Sequence, residues 1–328
     1  MKVLDYDAGV VRVIALLLFF ASPASGQEKQ PIWPPKIDGE RHVYKTVGGR
    51  ELCLWRVQSA SGDAMSEGGL ASPAIVFFFG GGWTSGSPEQ FLPQARKLAN
   101  RGMVAIVADY RVASRDGVKA VACVEDAKSA IRWIRANALT LGVDASRICA
   151  AGGSAGGHIA CCTALIEGFD AESEDKSVSS VPNALALFNP AVVLAPLEES
   201  TLVEAEQEKT DVLRVRLGVE PTKLSPIHHV RKDLPPCVIF HGEADTTVRI
   251  QTVERFTTLM KNAGNRCELN RFPNAPHGFF NLRGENVGQK DLKDTGPNGF
   301  DRRREWHETS LRQLDQFFVS LTWLSTEE

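Results

Sequence analysis

The pentapeptide Gly152-Gly153-Ser154-Ala155-Gly156 constrains this chain more than any other stretch of its 328 residues. It follows Arg147-Ile148-Cys149-Ala150-Ala151, which reads as a short buried strand. It opens His158-Ile159-Ala160-Cys161-Cys162-Thr163-Ala164-Leu165, which reads as a helix. A serine at the centre of G-x-S-x-G, between a strand and a helix, is the pattern of a nucleophile elbow. So tight a turn leaves no room for flanking side chains, hence glycines on both sides. The serine hydroxyl is pushed out at the top of the sheet, over the positive end of the helix.

A serine is a weak nucleophile until a base takes its proton. In elbow proteins the order along the chain is serine, acid, histidine, and that order prunes the seven histidines. His42 precedes the serine, His158 lies one helical turn beyond it, and His241 comes before the best acid. His277 and His307 remain near the end of the chain. His307, in Glu305-Trp306-His307-Glu308-Thr309, begins an amphipathic C-terminal helix and reads as a surface or packing residue. His277 sits in Asn274-Ala275-Pro276-His277-Gly278-Phe279, directly after a strand-like run from Cys267 to Phe272, and is the expected base. Asp245 lies in the loop beyond the buried run Pro236 to Gly242, where catalytic groups collect in open α/β sheets. Glu243, two residues nearer the strand, is its rival, and an N-cap of the following helix is the alternative role for Asp245.

Upstream, the apolar run Ala74 to Phe79 leads into Gly80-Gly81-Gly82-Trp83. Three glycines leave backbone N–H groups to point into a cleft. A phosphate cradle would need a Gly-Lys-Ser/Thr ending, which is absent.

With these pieces in place, residues from about Ile75 to Phe280 resemble the α/β-hydrolase superfamily. The likeness is to the hormone-sensitive-lipase-like esterases and the bacterial acetylxylan and feruloyl esterases. Ala108-Asp109-Tyr110-Arg111, Ala130-Ile131-Arg132-Trp133-Ile134-Arg135 and Ser225-Pro226 extend it. The resemblance implies Ser154, Asp245 and His277 as a catalytic triad, with Gly81, Gly82 and Ala155 supplying oxyanion N–H groups. Each such donor is worth about 3–4 kcal/mol of barrier. It further implies a serine carboxylester hydrolase acting on acetyl, or feruloyl, groups of polysaccharide. The alternatives are an exopeptidase or small-molecule esterase on the same fold, or a catalytically silent binding protein. One departure stands out: Phe79 occupies the position of the family's usual histidine, which braces the glycine loop, so loop rigidity is what the change puts in question.

Net charge of −3 offers no basic patch for nucleic acid. The first 26 residues carry the apolar core Val13 to Ala21, too short to span a bilayer comfortably. Small residues follow, with Ala24 and Gly26 placed for signal peptidase. The expectation is a cleaved signal, a secreted or periplasmic protein, and no membrane anchor after cleavage; an uncleaved anchor is the rival reading. Seven cysteines leave at least one unpaired; Cys149, Cys161 and Cys162 read as buried hydrophobes, and Cys237 and Cys267 begin neighbouring strands. No cysteine or histidine spacing resembles a metal site, and no cofactor is implied. Oligomeric state is not legible.

The organisation expected is a signal (1–26), a linker (27–41) and one catalytic domain (42–328). Val43 to Val57 reads as a hairpin about Gly48-Gly49. Strands then alternate with helices, among them one begun by Ser87 as N-cap, Pro88 at the first position and Gln90 in a capping box. Alternation of this kind gives an α/β fold: a mainly parallel sheet, helices on both faces, and an antiparallel edge from the hairpin. Two insertions interrupt it, a charged helical segment at 198–223 where relatives carry a cap and a Gly-, Asn- and Asp-rich loop at 282–304. A small cap and an open cleft follow.

Overall fold

A computed structural model describes residues 33–59, 71–197, 204–282 and 299–326, with the backbone alone for 204–210 and 299–301. The signal segment lies outside them. The chain opens with β1 (Gly39–Val47) and β2 (Arg50–Val57), an antiparallel pair. Both residues of the intervening turn, Gly48 and Gly49, have positive φ (57° and 80°), as a tight hairpin turn requires. Because β1 begins at Gly39, the last residues of the expected linker are strand instead.

The elements that follow are β3 (Ser72–Phe78), α1 (Leu92–Ala99), β4 (Val104–Ala108), α2 (Ala113–Asp116), α3 (Ala120–Ala136), α4 (Ala138–Leu141) and β5 (Val143–Gly153). Then come α5 (Ala155–Leu165), β6 (Ala184–Phe188), α6 (Glu204–Leu217), α7 (Pro221–Leu224) and β7 (Cys237–Gly242). The chain ends with α8 (Ile250–Asn262), β8 (Cys267–Phe272) and α9 (Gly299–Ser320). The eight strands form one sheet in the order β1-β2-β4-β3-β5-β6-β7-β8. Only the β1–β2 and β2–β4 pairings are antiparallel. Parallel strands are covered on both faces and so read as continuous apolar runs; β3, β4 and β6 are of this kind. Helices α3, α5 and α8 pack one face of the sheet, and α1 and α9 the other. Every residue of α5 is buried, the condition of a helix apolar all round. Among the described residues no helix is long and apolar enough to cross a membrane.

On the face covered by α1 and α9 a row of phenylalanines runs across the sheet. Phe77 stacks on Phe91 (5.0 Å), Phe91 on Phe280 (5.5 Å) and Phe188 on Phe240 (4.8 Å), while Phe272 tilts against Phe279 (4.5 Å). Such pairs add about 0.5–1.5 kcal/mol each beyond their buried area. The row ties the strand before the triple glycine to the loop after β8, so two distant segments share one rigid floor.

The structure revises two details of the sequence reading and bears out a third. The second insertion ends sooner, because α9 already begins at Gly299; residues 283–298 lie outside the description. His307 is therefore well inside that helix, and it is buried, a packing residue rather than a surface one. All seven cysteines are free and buried; Cys237 and Cys267 are direct register partners on adjacent parallel strands but form no disulfide.

Candidate active site

Strand β5 runs to Gly153 and α5 starts at Ala155, leaving Ser154 alone in the turn at φ 54°, ψ −118°. A non-glycine residue held there stores strain that only the surrounding structure can maintain. The flanking glycines explain how the turn closes. A Cβ on Gly152 would lie 2.5 Å from the carbonyl group of Gly156, and one on Gly156 would lie 2.1 Å from the carbonyl oxygen of Phe78. The Ser154 amide donates to the carbonyl of Phe188 (2.8 Å), which anchors the turn to the end of β6.

The loops after β7 and β8 bring two further groups to this serine. His277 Nε2 lies 3.0 Å from Ser154 Oγ, and His277 Nδ1 lies 2.7 Å from Asp245 Oδ2. A carboxylate only accepts, so Nδ1 carries the proton and Nε2 is left to accept from the serine hydroxyl. Asp245 is sequestered beneath the histidine, and its Oδ1 accepts the amides of Thr247 and Val248 (2.8 Å each). That turn replaces the expected alternative of a helix N-cap, because α8 begins at Ile250 with Arg249 before it. Glu243, the rival acid, is exposed and faces Arg271 (3.7 Å). His241 Nε2 lies 3.6 Å from Asp245 Oδ2 and donates to the carbonyl of Val248 (2.9 Å). Burial holds its pKa below the ordinary imidazole value.

A fourth residue of this group was not singled out in the sequence. Asn189, buried at the end of β6 and at φ 43°, donates its side-chain amide to Asp245 Oδ2. Its signal in the sequence is slight: a polar side chain between the strand's last phenylalanine and Pro190.

The triple glycine lies beside the serine; a Cβ on Gly80 would sit 3.4 Å from that of Ser154. Gly81 and Gly82 take positive φ (128° and 60°). Their amides donate to no other group among the described residues, and Ala155 is the first residue of α5, where amides lack an intrahelical acceptor. The rest of the loop is held. The Gly80 amide donates to Gln90 Oε1 (2.5 Å), so Gln90 does not close the expected capping box; Ser87 Oγ instead accepts from the Glu89 amide at a long 3.4 Å. Tyr110 donates to the carbonyl of Phe79 (2.6 Å), and its ring stacks on the Phe79 ring at 4.1 Å. Arg115 donates to the carbonyl of Gly86 (2.7 Å). The phenylalanine in the histidine position is thus itself a brace, and the loop rigidity that the substitution put in question is present.

Trp83 closes the loop. Its indole Nε1 donates to His158 Nδ1 (3.1 Å), which requires the proton of His158 to sit on Nε2, where it is donated to the carbonyl of Leu224 (2.7 Å). Burial lowers the His158 pKa to about 4, so the ring is neutral. The first insertion, read as a cap, contributes α6 and α7, and from α6 Arg216 reaches the carbonyl of Gly82 (2.6 Å). Residues 198–203 of that insertion lie outside the description.

The sequence model of the BD-FAE family matches residues 65–260, more than half of the chain, and that of the dienelactone hydrolase family matches residues 219–317. Esterase LipC of Mycobacterium tuberculosis is 29% identical over 66% of this chain and 55% of its own length. Carboxylesterase NlhH of the same organism is 30% identical over 64% of this chain and 67% of its own. The chain spans little more than half the length of the first curated relatives it matches. Among solved structures, Thermogutta terrifontis esterase 2 with butyrate bound is 45% identical, covering 90% of this chain and 99% of that one with a TM-score of 0.78. The same esterase has also been solved with propionate bound and phosphonylated by sarin.

Proposed function

This chain belongs to the BD-FAE family of α/β-hydrolase esterases, and we propose that it removes short acyl groups, acetyl first and feruloyl second, from carbohydrate outside the cytoplasm. The observation that carries the chemistry is the unbroken relay Ser154–His277–Asp245. As Ser154 Oγ attacks the ester carbonyl, its proton passes to His277 Nε2. Asp245 holds the imidazole in the required tautomer and stabilises the imidazolium. The oxyanion that forms is met by the amides of Gly81, Gly82 and Ala155, and by the N-terminus of α5. His277 then returns the proton to the leaving alcohol, and water releases the acyl group from Ser154 by the same route.

Short acyl preference is supported by the propionate and butyrate complexes of the Thermogutta esterase. Each methylene that finds no apolar wall forgoes up to about 0.8 kcal/mol. The carbohydrate and the export rest on the sequence reading: a leader ending near Gly26 and a small cap. A second reading, a general short-chain carboxylesterase, is favoured by the names of the relatives. Rates on acetyl, butyryl, octanoyl and decanoyl esters of one alcohol, beside acetylated and feruloylated oligosaccharides, separate the two. The expected result is a maximum between acetyl and butyryl, with acetate or ferulate released from the sugars. A kcat/KM that climbs steadily to decanoyl, with no action on acylated sugars, defeats the proposal. N-terminal sequencing of exported protein should find a start near Gln27; Met1 retained in a membrane fraction makes the leader an anchor.

A further inference from the structure

The last turn of α6 lays Arg216 against the glycine loop. Its guanidinium carbon is 5.5 Å from the centre of the Trp83 ring, and Nη2 donates to the carbonyl of Gly82 (2.6 Å) and to Thr84 Oγ1 (3.1 Å). Trans peptides are planar, so fixing a carbonyl fixes the direction of the N–H across the same bond. The Gly81 carbonyl accepts from the amides of Thr84 and Ser85 (3.1 Å each), which sets the Gly82 N–H. The next peptide plane hangs on Gly82, a glycine at φ 60° with no side chain to restrain it. Its carbonyl is held by Arg216 and, within the loop, by Thr84 Oγ1 at a longer 3.2 Å. The arginine bond is the charge-assisted one and so the stronger. A Cβ on Gly82 would stand 2.6 Å from that guanidinium, which would have to shift, and the φ of 60° favours glycine in any case. The cap holds the loop a second time through Trp83, His158 and the Leu224 carbonyl at the end of α7.

We propose that Arg216 is a positioning residue that makes the seating of the cap and the shape of the oxyanion loop a single event. The proposal rests on reading Gly82 as an oxyanion donor. With α6 seated, the Gly82–Trp83 peptide is fixed and so are the Thr84 and Ser85 amides that follow it and hold the Gly81 carbonyl, which keeps the Gly82 N–H in place; with α6 displaced, that turn is loosened and the donor loses its direction. The cap then governs turnover as well as access.

Arg216→Ala and Arg216→Lys, each compared with wild type, test this. For Arg216→Ala the expected result is a fall in kcat of roughly 10- to 100-fold with KM within about twofold, the signature of an interaction made in the transition state. Affinity for an alkyl boronic acid, a tetrahedral mimic, should fall by the same factor, while inhibition by butyrate stays. Lysine, able to reach the carbonyl but without a planar guanidinium to lie over Trp83, should recover part of the rate. Hydrogen exchange across residues 79–86 reads the clamp without turnover, and should quicken in Arg216→Ala. Unchanged exchange, or a rise in KM with kcat intact, overturns the proposal. If the alanine variant does not fold, the lysine variant carries the same comparison. A wild-type protein that hydrolyses none of the esters strikes the functional reading instead, and the exchange result tells the two failures apart.

Discussion

The two sides of Ser154 are built differently. On the acid–base side, Asp245 and His277 ride on short loops directly after neighbouring parallel strands, β7 and β8. On the oxyanion side, the loop after β3 takes its shape from Gln90, Tyr110, Arg115, His158 and Arg216, side chains drawn from well over a hundred residues of sequence. The first arrangement follows from the sheet; the second is assembled from separate contacts, each holding one peptide or, for His158, one side chain. Damage should therefore be all-or-none on one side and graded on the other.

The comparison breaks outright if the relay proves dispensable. Ser154→Ala should fold normally and lose at least about three orders of magnitude in rate on a short acyl ester, and Asp245→Asn should lose nearly as much by fixing the wrong tautomer. Turnover near wild type in either variant, measured with protein free of contaminating esterase, removes the relay as the engine. On the oxyanion side a single tie should cost far less. Gln90→Leu leaves the Gly80 amide without its acceptor, and we expect kcat to drop about tenfold with little change in KM, as for weakening rather than deleting an oxyanion donor. A loss as large as that of Ser154→Ala would show that the loop has no redundancy.

A third measurement sharpens the comparison through stability. His158 is neutral when folded, with a pKa of about 4, whereas an exposed imidazole titrates near about 6.5. Between those values the unfolded chain takes up a proton that the folded chain refuses, so stability falls as pH drops. The contribution is complete above about pH 6.5 and is lost progressively towards pH 4. Asp109, lifted to about 7 by burial against the opposing pull of Arg50 and Arg115, works in the other direction over an overlapping window. Subtracting variants isolates the histidine. His158→Gln can still accept from Trp83 and donate to Leu224 but cannot titrate, so its melting temperature should fall less steeply between pH 6.5 and pH 4 than that of wild type. Identical slopes would mean that His158 is not buried as described. The smallest effect belongs to the rival acid: Glu243→Gln should leave kcat/KM within about twofold, since exposed ion pairs contribute little, and a loss of a hundredfold would reopen the choice of acid.

The same division decides what could be read from the amino acids. The elbow, the hairpin turn at Gly48-Gly49 and the positions of Asp245 and His277 are local in the sequence, a few residues of fixed type beside a strand end, and they were legible there. Asn189 was missed because an asparagine after a strand has many uses. Gln90 was misread for a physical reason. Ser87-Pro88-Glu89-Gln90 satisfies the capping-box spacing, but the chain begins there with a 3₁₀ turn, Pro88–Phe91, which moves the serine's acceptor bond to the second residue. That leaves the glutamine to reach back to Gly80. Arg216, in a charged helix with no marked periodicity, offered no sign that it would reach Gly82.

The carbonyl of Phe280 has a consequence for how such a protein can change over generations. It accepts two hydrogen bonds, from Gln94 Nε2 (2.9 Å) and from His307 Nδ1 (2.7 Å), three residues after His277. The chain is thus moored to α1 and α9 at the point where the second insertion begins. Surface segments tolerate insertion and deletion far better than the elements they connect. With the mooring upstream of it, that insertion is free to lengthen, shorten or exchange its residues, while the base keeps its place to within a hydrogen bond. The length of the insertion and the transfer of the proton are left to drift independently.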